Sequence, residues 1–588
     1  MGIREKHLRI LLRNLIPEQF HRQHDYQDNS TYANFNLAYV TGRRPSNRER
    51  PITMERVPRA CSVLVMLVSL TFLYPSHGIR DTFNRKQINA VSDIKPTFAG
   101  YLQVDKDGSS IYYAYYESQT RSEDAGEAPI LLWLQGGPGC ASTFGGFYEL
   151  GPWSVTSALG VQRNPGSWNR IFGLLLMDQP VGTGYSRAAN GSSSTPRDEM
   201  GMAAHLYAAL QGFFTQHHFL ATRPLFITGE SYAGKYVPSI AHYILQAQLD
   251  AGASAGVAST APVTEATVTT ATNIAMDTPA PSLRFRRELP AGTSRPVFQL
   301  AGVAVGNGLT DPRAQTQTLA AGAYYAGLLP PALRDEVAGK AAAVVALIDE
   351  SKWLEAHGAR EQLRSFIVNV TGLATLFDTR KTEEYDPTKA VDHFLNLPEV
   401  KEAMRADPAV NYSSCSDAVR NAMAADVMRT VKYLISDLLA HIPVLLYQGQ
   451  YDILDGVASV TAWLSSLDWP DKAAFAAAKG HLWHLGEEGV PPRLASDSDA
   501  QGAGAVATAP TAAATFDATA TSIGIGVDPP CPSRSSDKQR EVAGWWRSAG
   551  HLTQVVVYRA GHMVPHDQPL AAQQMMEGWV LAALEGSR

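Results

Sequence analysis

Pro224-Leu225-Phe226-Ile227-Thr228-Gly229-Glu230-Ser231-Tyr232-Ala233-Gly234-Lys235-Tyr236-Val237 decides how this chain is read. An apolar run of strand length meets a serine between small residues, and a helix-like segment follows at once. A turn this tight leaves no room for bulky neighbours and lifts the serine hydroxyl clear of a sheet edge, which describes a nucleophile elbow. The usual G-x-S-x-G spacing is not met in full, because Ala233 holds the place of the second glycine and Gly234 comes one residue later. A short Gly- and Ser-containing turn is common, so the stretch needs support from the rest of the chain.

A serine hydroxyl becomes a nucleophile only when a base takes its proton and an acid orients that base. Two downstream segments supply both in the order Ser, acid, His. Pro443-Val444-Leu445-Leu446-Tyr447 is a buried-strand pattern followed by Gln448-Gly449-Gln450-Tyr451-Asp452. Gln554-Val555-Val556-Val557-Tyr558 is another, leading to Arg559-Ala560-Gly561-His562-Met563-Val564-Pro565. Both polar residues then lie beyond the carboxyl ends of strands, where open α/β sheets build their sites. Asp455 is the alternative acid and His566 the alternative base. Upstream, Ile130-Leu131-Leu132-Trp133-Leu134 runs into Gln135-Gly136-Gly137-Pro138-Gly139-Cys140. A glycine-rich turn there lets the backbone approach a tetrahedral oxygen without a Cβ in the way. A phosphate loop would need a following Lys-Ser/Thr, which is absent.

With these pieces the chain resembles the serine carboxypeptidases of the α/β-hydrolase class, and most of all the plant serine carboxypeptidase-like proteins. The likeness spans nearly all of residues 85–585 apart from two insertions. It is carried by Trp133–Cys140, Gly229–Gly234 and Gly561–Pro565. Glu149-Leu150-Gly151-Pro152, Asn164–Asn169, Asp178–Ser186 and Gly306-Asn307-Gly308 support it. The resemblance implies an α/β fold with a mixed central sheet and a helical cap insertion. It implies Ser231, Asp452 and His562 as catalytic triad and the N–H groups of Gly137 and Tyr232 as oxyanion hole. It further implies a cluster that grips the substrate's terminal carboxylate, with Glu149 and Glu230 as its acids. Buried acids in contact force one pKa upward and share a proton, so activity on peptide C-termini is expected to favour acidic pH. Gln135 stands where better-known members carry asparagine. It keeps the amide chemistry with a reach one methylene longer. The implied function is release of C-terminal residues through an acyl-enzyme. The alternative is an acyltransferase of the same family that uses sugar-ester donors.

The resemblance also implies a Cys140–Cys415 disulfide. Of the other two cysteines, Cys61 falls within a signal peptide and Cys531 in an insertion, where it is expected to be unpaired. Asn190, Asn369 and Asn411 open sequons that suit a secretory route, extracellular or vacuolar. Asn29 opens another, ahead of the signal.

At 588 residues and 45% hydrophobic content the chain can bury a core larger than one ordinary domain. A formal charge of −6 offers no footprint for nucleic acid. His217-His218 and the His481/His484 pair lack a second ligand cluster and read as surface histidines, so no metal or other cofactor is called for. Residues 1–53 read as an upstream extension. Residues 54–78 read as a signal peptide, since the apolar run from Cys61 to Tyr74 is short for a membrane span; a type II anchor is the rival. Residues 85–311 form the first part of the core, with a hairpin near Tyr101–Tyr116, strands near Leu174–Leu176 and Phe298–Val305, and a helix near Met200–Phe214. Residues 248–295, rich in Ala, Thr, Ser and Pro, read as a disordered insertion containing an Arg286-Arg287 protease target. Residues 312–439 turn helical, with segments Leu333–Trp353 and Glu361–Val370, and are assigned to the cap. Residues 440–588 complete the core around a second insertion, 486–538, and end in a helix over Gln568–Leu584. Oligomeric state is not legible.

Overall fold

The apolar runs become adjacent strands because each carries Val, Leu, Ile or Phe on both faces and can be satisfied only inside a doubly covered sheet. The computed structural model describes residues 93–120, 128–257, 293–383, 386–486 and 541–586. The proposed extension and signal peptide (1–78), the protease target, Cys531 and most of both insertions lie outside the described residues.

A hairpin of β1 (Phe98–Gln103) and β2 (Ser110–Tyr116) leads to β3 (Ile130–Leu134), then β6 (Gly173–Asp178), β7 (Pro224–Glu230), β8 (Gln299–Gly306), β9 (Val444–Gly449) and β12 (Leu552–Val557). One sheet of ten strands runs β1-β2-β6-β3-β7-β8-β9-β12-β11-β10, with β10 at His481–His484 and β11 at Val542–Ala549. The six strands from β6 to β12 in that order are parallel, and the pairs at either edge are antiparallel. The sheet is therefore mixed. A separate small ribbon joins β4 (Trp153–Val155) to β5 (Val161–Arg163).

Alternate residues feed two cores. Ile130, Leu132 and Leu134 pack on one face of the sheet, Leu131 and Trp133 on the other, all fully buried. On the first face lie α2 (Glu199–Gln216) and α3 (Ala233–Val257). On the second lies the terminal helix α14 (Pro569–Gly586), through Met575, Met576 and Trp579. The parallel register sets Leu134 beside Gly229 and Glu230 beside Gly306. The loops that leave β3, β7 and β8 thus start at one level, and β9 and β12 end nearby in step.

Between β8 and β9 the chain is helical. It includes α4 (Pro312–Tyr325), α5 (Pro331–Asp349), α6 (Trp353–Thr371), α7 (Thr388–Leu395), α8 (Pro398–Ala403), α9 (Asp417–Met423) and α10 (Lys432–Leu439). Two expectations change here. The helix expected over Leu333–Trp353 ends at Asp349, because Ser351 takes φ +59°, which an α-helix cannot continue. Glu361–Val370 belongs to α6, which begins at Trp353. Likewise α3 continues to Val257, ten residues into the segment expected to be disordered. His481 and His484 lie on β10, where the exposed His481 ring stacks on Trp546 with centroids 4.5 Å apart. Helices α1 (Ser142–Tyr148), α11 (Val457–Ser466), α12 (Lys472–Ala477) and α13 (Val564–Asp567) complete the chain.

Candidate active site

Ser231 follows β7 directly and adopts φ +63°, a conformation that costs a non-glycine residue about 1–3 kcal/mol and persists only where neighbours enforce it. They do. Ser231 N–H donates to the Gly306 carbonyl (3.0 Å), while its carbonyl accepts from Gly234 N–H (2.8 Å) and Leu309 N–H (2.9 Å). The shifted glycine spacing has a steric reason. A Cβ at Gly234 would stand 2.6 Å from Leu309 N and 2.7 Å from Gly308, so glycine is required there, whereas the Ala233 methyl fits against Gly229.

His562 leaves the loop after β12. Its Nδ1 lies 2.6 Å from Asp452 Oδ2, in the loop after β9. Asp452 is held from all sides: Oδ2 also accepts from Asn307 Nδ2 (2.8 Å), and Oδ1 accepts from the N–H groups of Leu454 (2.8 Å) and Asp455 (3.0 Å). Burial alone would lower the pKa of His562. The charge of Asp452 and the hydrogen bond to it outweigh that and raise it above the ordinary value. His562 Nε2 is buried with no hydrogen-bond partner among the described residues, and no hydrogen bond joins it to Ser231. Both residues line one cavity of about 550 Å³, as do Gly137, Tyr232 and Glu230. The alternatives from the sequence are engaged elsewhere. Asp455 accepts from Gln315 Nε2 (2.8 Å), and His566 stacks on Tyr148 with centroids 4.1 Å apart.

The loop after β3 lies against the elbow. A Cβ at Gly136 would stand 2.5 Å from Tyr232 N and 2.7 Å from Ser231 Cβ. Among the described residues neither Gly137 N–H nor Tyr232 N–H finds an acceptor. Beneath them, Gln135 Nε2 donates to Glu230 Oε1 (2.8 Å) and Glu149 Oε1 (3.2 Å), and Gln135 Oε1 accepts from Trp133 Nε1 (2.9 Å). The longer side chain thus reaches both acids. Glu149 is no surface acid: it is 2% exposed, and Glu230 is 1% exposed. Burial pushes Glu149 up to about 8. Burial and the neighbouring Glu149 push Glu230 well above the carboxylate range. Glu149 and Glu230 also meet each other in a carboxyl–carboxyl hydrogen bond, and neither Oε2 finds a donor among the other described residues. An acid pair of this kind retains a proton through mildly acidic solution.

The serine carboxypeptidase family profile matches residues 91–268 and 287–582. The chain belongs to the serine carboxypeptidase family. Serine carboxypeptidase-like 50 of Arabidopsis thaliana is 37% identical over 83% of this chain and 88% of its own length. A probable serine carboxypeptidase, CPVL, of Mus musculus is 28% identical over 82% of each chain. Among solved structures, Kex1(Δ)p, a prohormone-processing carboxypeptidase from Saccharomyces cerevisiae, superposes with a TM-score of 0.60 at 20% identity, covering 83% of this chain and 92% of that one. That likeness speaks to the fold, which is the α/β-hydrolase fold. By family this serine carboxypeptidase is a serine-type hydrolase.

The Cys140–Cys415 disulfide is formed. Two backbone hydrogen bonds flank it, from Ala141 N–H to Ser414 O (2.8 Å) and from Ser416 N–H to Gly139 O (2.8 Å), so the glycine-rich loop after β3 is tied to the start of α9. Asn190, Asn369 and Asn411 are exposed, Asn369 in the last turn of α6. Among the described residues no cluster of three His, Cys, Asp or Glu could hold a metal, and no helix is long and apolar enough to cross a membrane. Sequence reasoning quoted Asn307 only as part of a motif; its hydrogen bond to Asp452 is the role it missed. It also missed the buried group behind the elbow. There Tyr232 OH donates to Asp426 Oδ2 (3.0 Å) and Lys235 Nζ to the same oxygen (2.5 Å), beside Glu199, whose carboxyl burial pushes well up. Helical spacing gave no signal for it, because its members come from α2, α3 and the segment after α9.

Proposed function

We propose that this chain removes single residues from peptide C-termini through an acyl-enzyme on Ser231, working best in mildly acidic solution. The carrying observation is the 2.6 Å contact of His562 Nδ1 with a four-fold bonded Asp452, together with an unpartnered Nε2 in the cavity shared with Ser231. His562 Nε2 takes the Ser231 proton as Oγ attacks the carbonyl carbon of the last peptide bond. Asp452 stabilises the imidazolium. The oxyanion is received by Gly137 and Tyr232 N–H. The imidazolium then protonates the departing amine, and water repeats the cycle on the ester to regenerate Ser231.

Glu149, Glu230 and Gln135 are the receiving group for the substrate's terminal carboxylate. A proton on the acid pair lets it donate to an anion; full ionisation would repel it. The raised pKa values of Glu149 and Glu230 support the acidic preference, while the raised pKa of His562 sets its lower limit, since a protonated imidazole cannot take the Ser231 proton. The disulfide and the exposed sequons fit passage through an oxidising, secretory compartment.

The test is turnover of a blocked dipeptide beside a glucose ester offered with an alcohol acceptor, at pH 5. Release of the C-terminal amino acid, lost on Ser231→Ala with the melting temperature kept, is expected. Acyl transfer from the ester with no peptide hydrolysis would reject the reading.

A further inference from the structure

Helix α6 turns a charged face to the active-site cavity. His357, Arg360, Glu361 and Arg364 recur at i, i+3, i+4 and i+7 and all line it, and Arg360 also borders the buried stripe of Ala356, Leu363 and Ile367. Arg364 stacks over Phe377, 5.3 Å from its centroid, and the Phe377 ring also packs against the His562 ring at 4.1 Å. This face of α6 therefore lies one aromatic ring from the proposed general base.

Arg360 is the unusual member. It is only 4% exposed, yet none of its N–H groups makes a hydrogen bond among the described residues. Its nearest acidic oxygens are Glu361 Oε1 at 3.6 Å and Asp455 Oδ1 at 3.8 Å. Both oxygens already accept from other donors, Glu361 from Arg364 (3.0 Å) and Asp455 from Gln315 (2.8 Å). Arg360 thus holds two long ion pairs but no short, bidentate hydrogen bond for its planar fork of five donors. A buried guanidinium normally satisfies that fork bidentately.

The groups facing it are Asp455, Glu361, Arg364 and, more distantly, Asp452. Burial pushes Asp455 up to about 6, and Arg360 lowers it only in part. In mildly acidic solution Asp455 is therefore protonated, and the Arg360, Arg364 and Glu361 set is left with net positive charge. His357 is held below its ordinary value by burial.

We infer that Arg360 is the anchor of a side-chain subsite for a carboxylate, so that the enzyme prefers peptides with Asp or Glu at one of the two residues flanking the scissile bond. The inference rests on the carboxypeptidase reading and adds the substrate class to it. A carboxylate side chain would accept two parallel hydrogen bonds from the guanidinium; a glutamine of the same shape offers one acceptor and no charge.

The experiment compares kcat/KM at pH 5 for blocked Glu-Leu against Gln-Leu, and for blocked Leu-Glu against Leu-Gln. The first pair places the acid before the scissile bond, the second after it. A preference for Glu of about tenfold or more is expected in one pair. Arg360→Met, nearly isosteric, should collapse that ratio toward one, and Arg360→Lys should restore part of it. Melting curves of both variants report folding. Cleavage of all four peptides with no Glu preference in either pair overturns the subsite and leaves the carboxypeptidase reading standing. An equal loss on Glu and Gln peptides in Arg360→Met also overturns it, since a grip on the terminal carboxylate or a structural role would give that result. Failure of the wild-type enzyme to cleave any of the four sinks the parent reading and the subsite with it.

Discussion

Replacing Glu149 by Gln should flatten the dependence of stability on pH. Glu149 is buried beside Glu230, and its carboxyl is pushed from an ordinary 4.5 to about 8 by burial. Between those values the folded chain holds a proton that the unfolded chain has released, so stability falls as pH rises. At about 1.36 kcal/mol per pH unit the slope amounts to about 5 kcal/mol across the whole window. The stability is fully present below about pH 4.5 and lost as pH climbs through about 8. Asp178 and Asp455, each pushed up to about 6 by burial, add slope of the same sign, as does Glu230. Only the difference between variant and wild type isolates the Glu149 share. The amide introduced by Glu149→Gln cannot ionise, and the loss of charge also relieves Glu230, so the variant should lose distinctly less stability between pH 5 and 8. Urea unfolding followed by tryptophan fluorescence at half-unit pH steps, with the disulfide intact, measures it. The same variant should carry the rise in KM for a blocked dipeptide to higher pH. Equal slopes in variant and wild type would refute the claim that this pair holds a proton in the fold.

Two further outcomes are expected. Asn307→Gly keeps the backbone at its φ of +42° without strain but removes the donor to Asp452 and the acceptor of Gly449 N–H. A hydrogen bond to a charged group is worth about 1.5–3 kcal/mol, so kcat should fall roughly 10- to 100-fold with KM little changed. An unaltered kcat would mean that Asp452 needs no such brace. Replacing Cys140 and Cys415 together by Ala opens a loop spanning 275 residues. Chain entropy predicts a loss on the order of 5 kcal/mol, read as a lower urea midpoint, and an unchanged midpoint would show that the two flanking backbone hydrogen bonds suffice.

The parallel strands were legible because each is short, apolar on both faces and bounded by turn residues, as Ile130–Leu134 and Val444–Gly449 are. Ser231, Asp452 and His562 were legible because polar residues after such strands have few other reasons to be there. The helical region was read less well. Periodicity marks an amphipathic face but not a break, so the left-handed Ser351 between α5 and α6 went unseen. Nor does periodicity say what a face looks at. His357, Arg360, Glu361 and Arg364 drew no notice in the sequence, and only the fold brings them to the cavity shared with Asp455 and His562. Long-range pairs such as Asn307 with Asp452, 145 residues apart, leave no local signal at all.

The costly features of the molecule gather at one end of its sheet. A strained serine, a buried acid pair, an unbonded histidine nitrogen and a buried guanidinium held only by long ion pairs each lower stability, and none improves packing. What holds them is the rest of the fold: register that brings five strand ends level, the Asn307 brace, and a disulfide binding the glycine-rich loop after β3 to the segment before α9. Elsewhere the chain satisfies ordinary rules, with alternating faces feeding two apolar cores. Costs concentrated in one place amid consistency everywhere else are what a site retained for its chemistry would leave. On that argument Arg360 belongs with Glu149 rather than with the other charges of α6, because it shares that residue's burial and has only long ion pairs, while Arg364 and Glu361 hydrogen-bond each other.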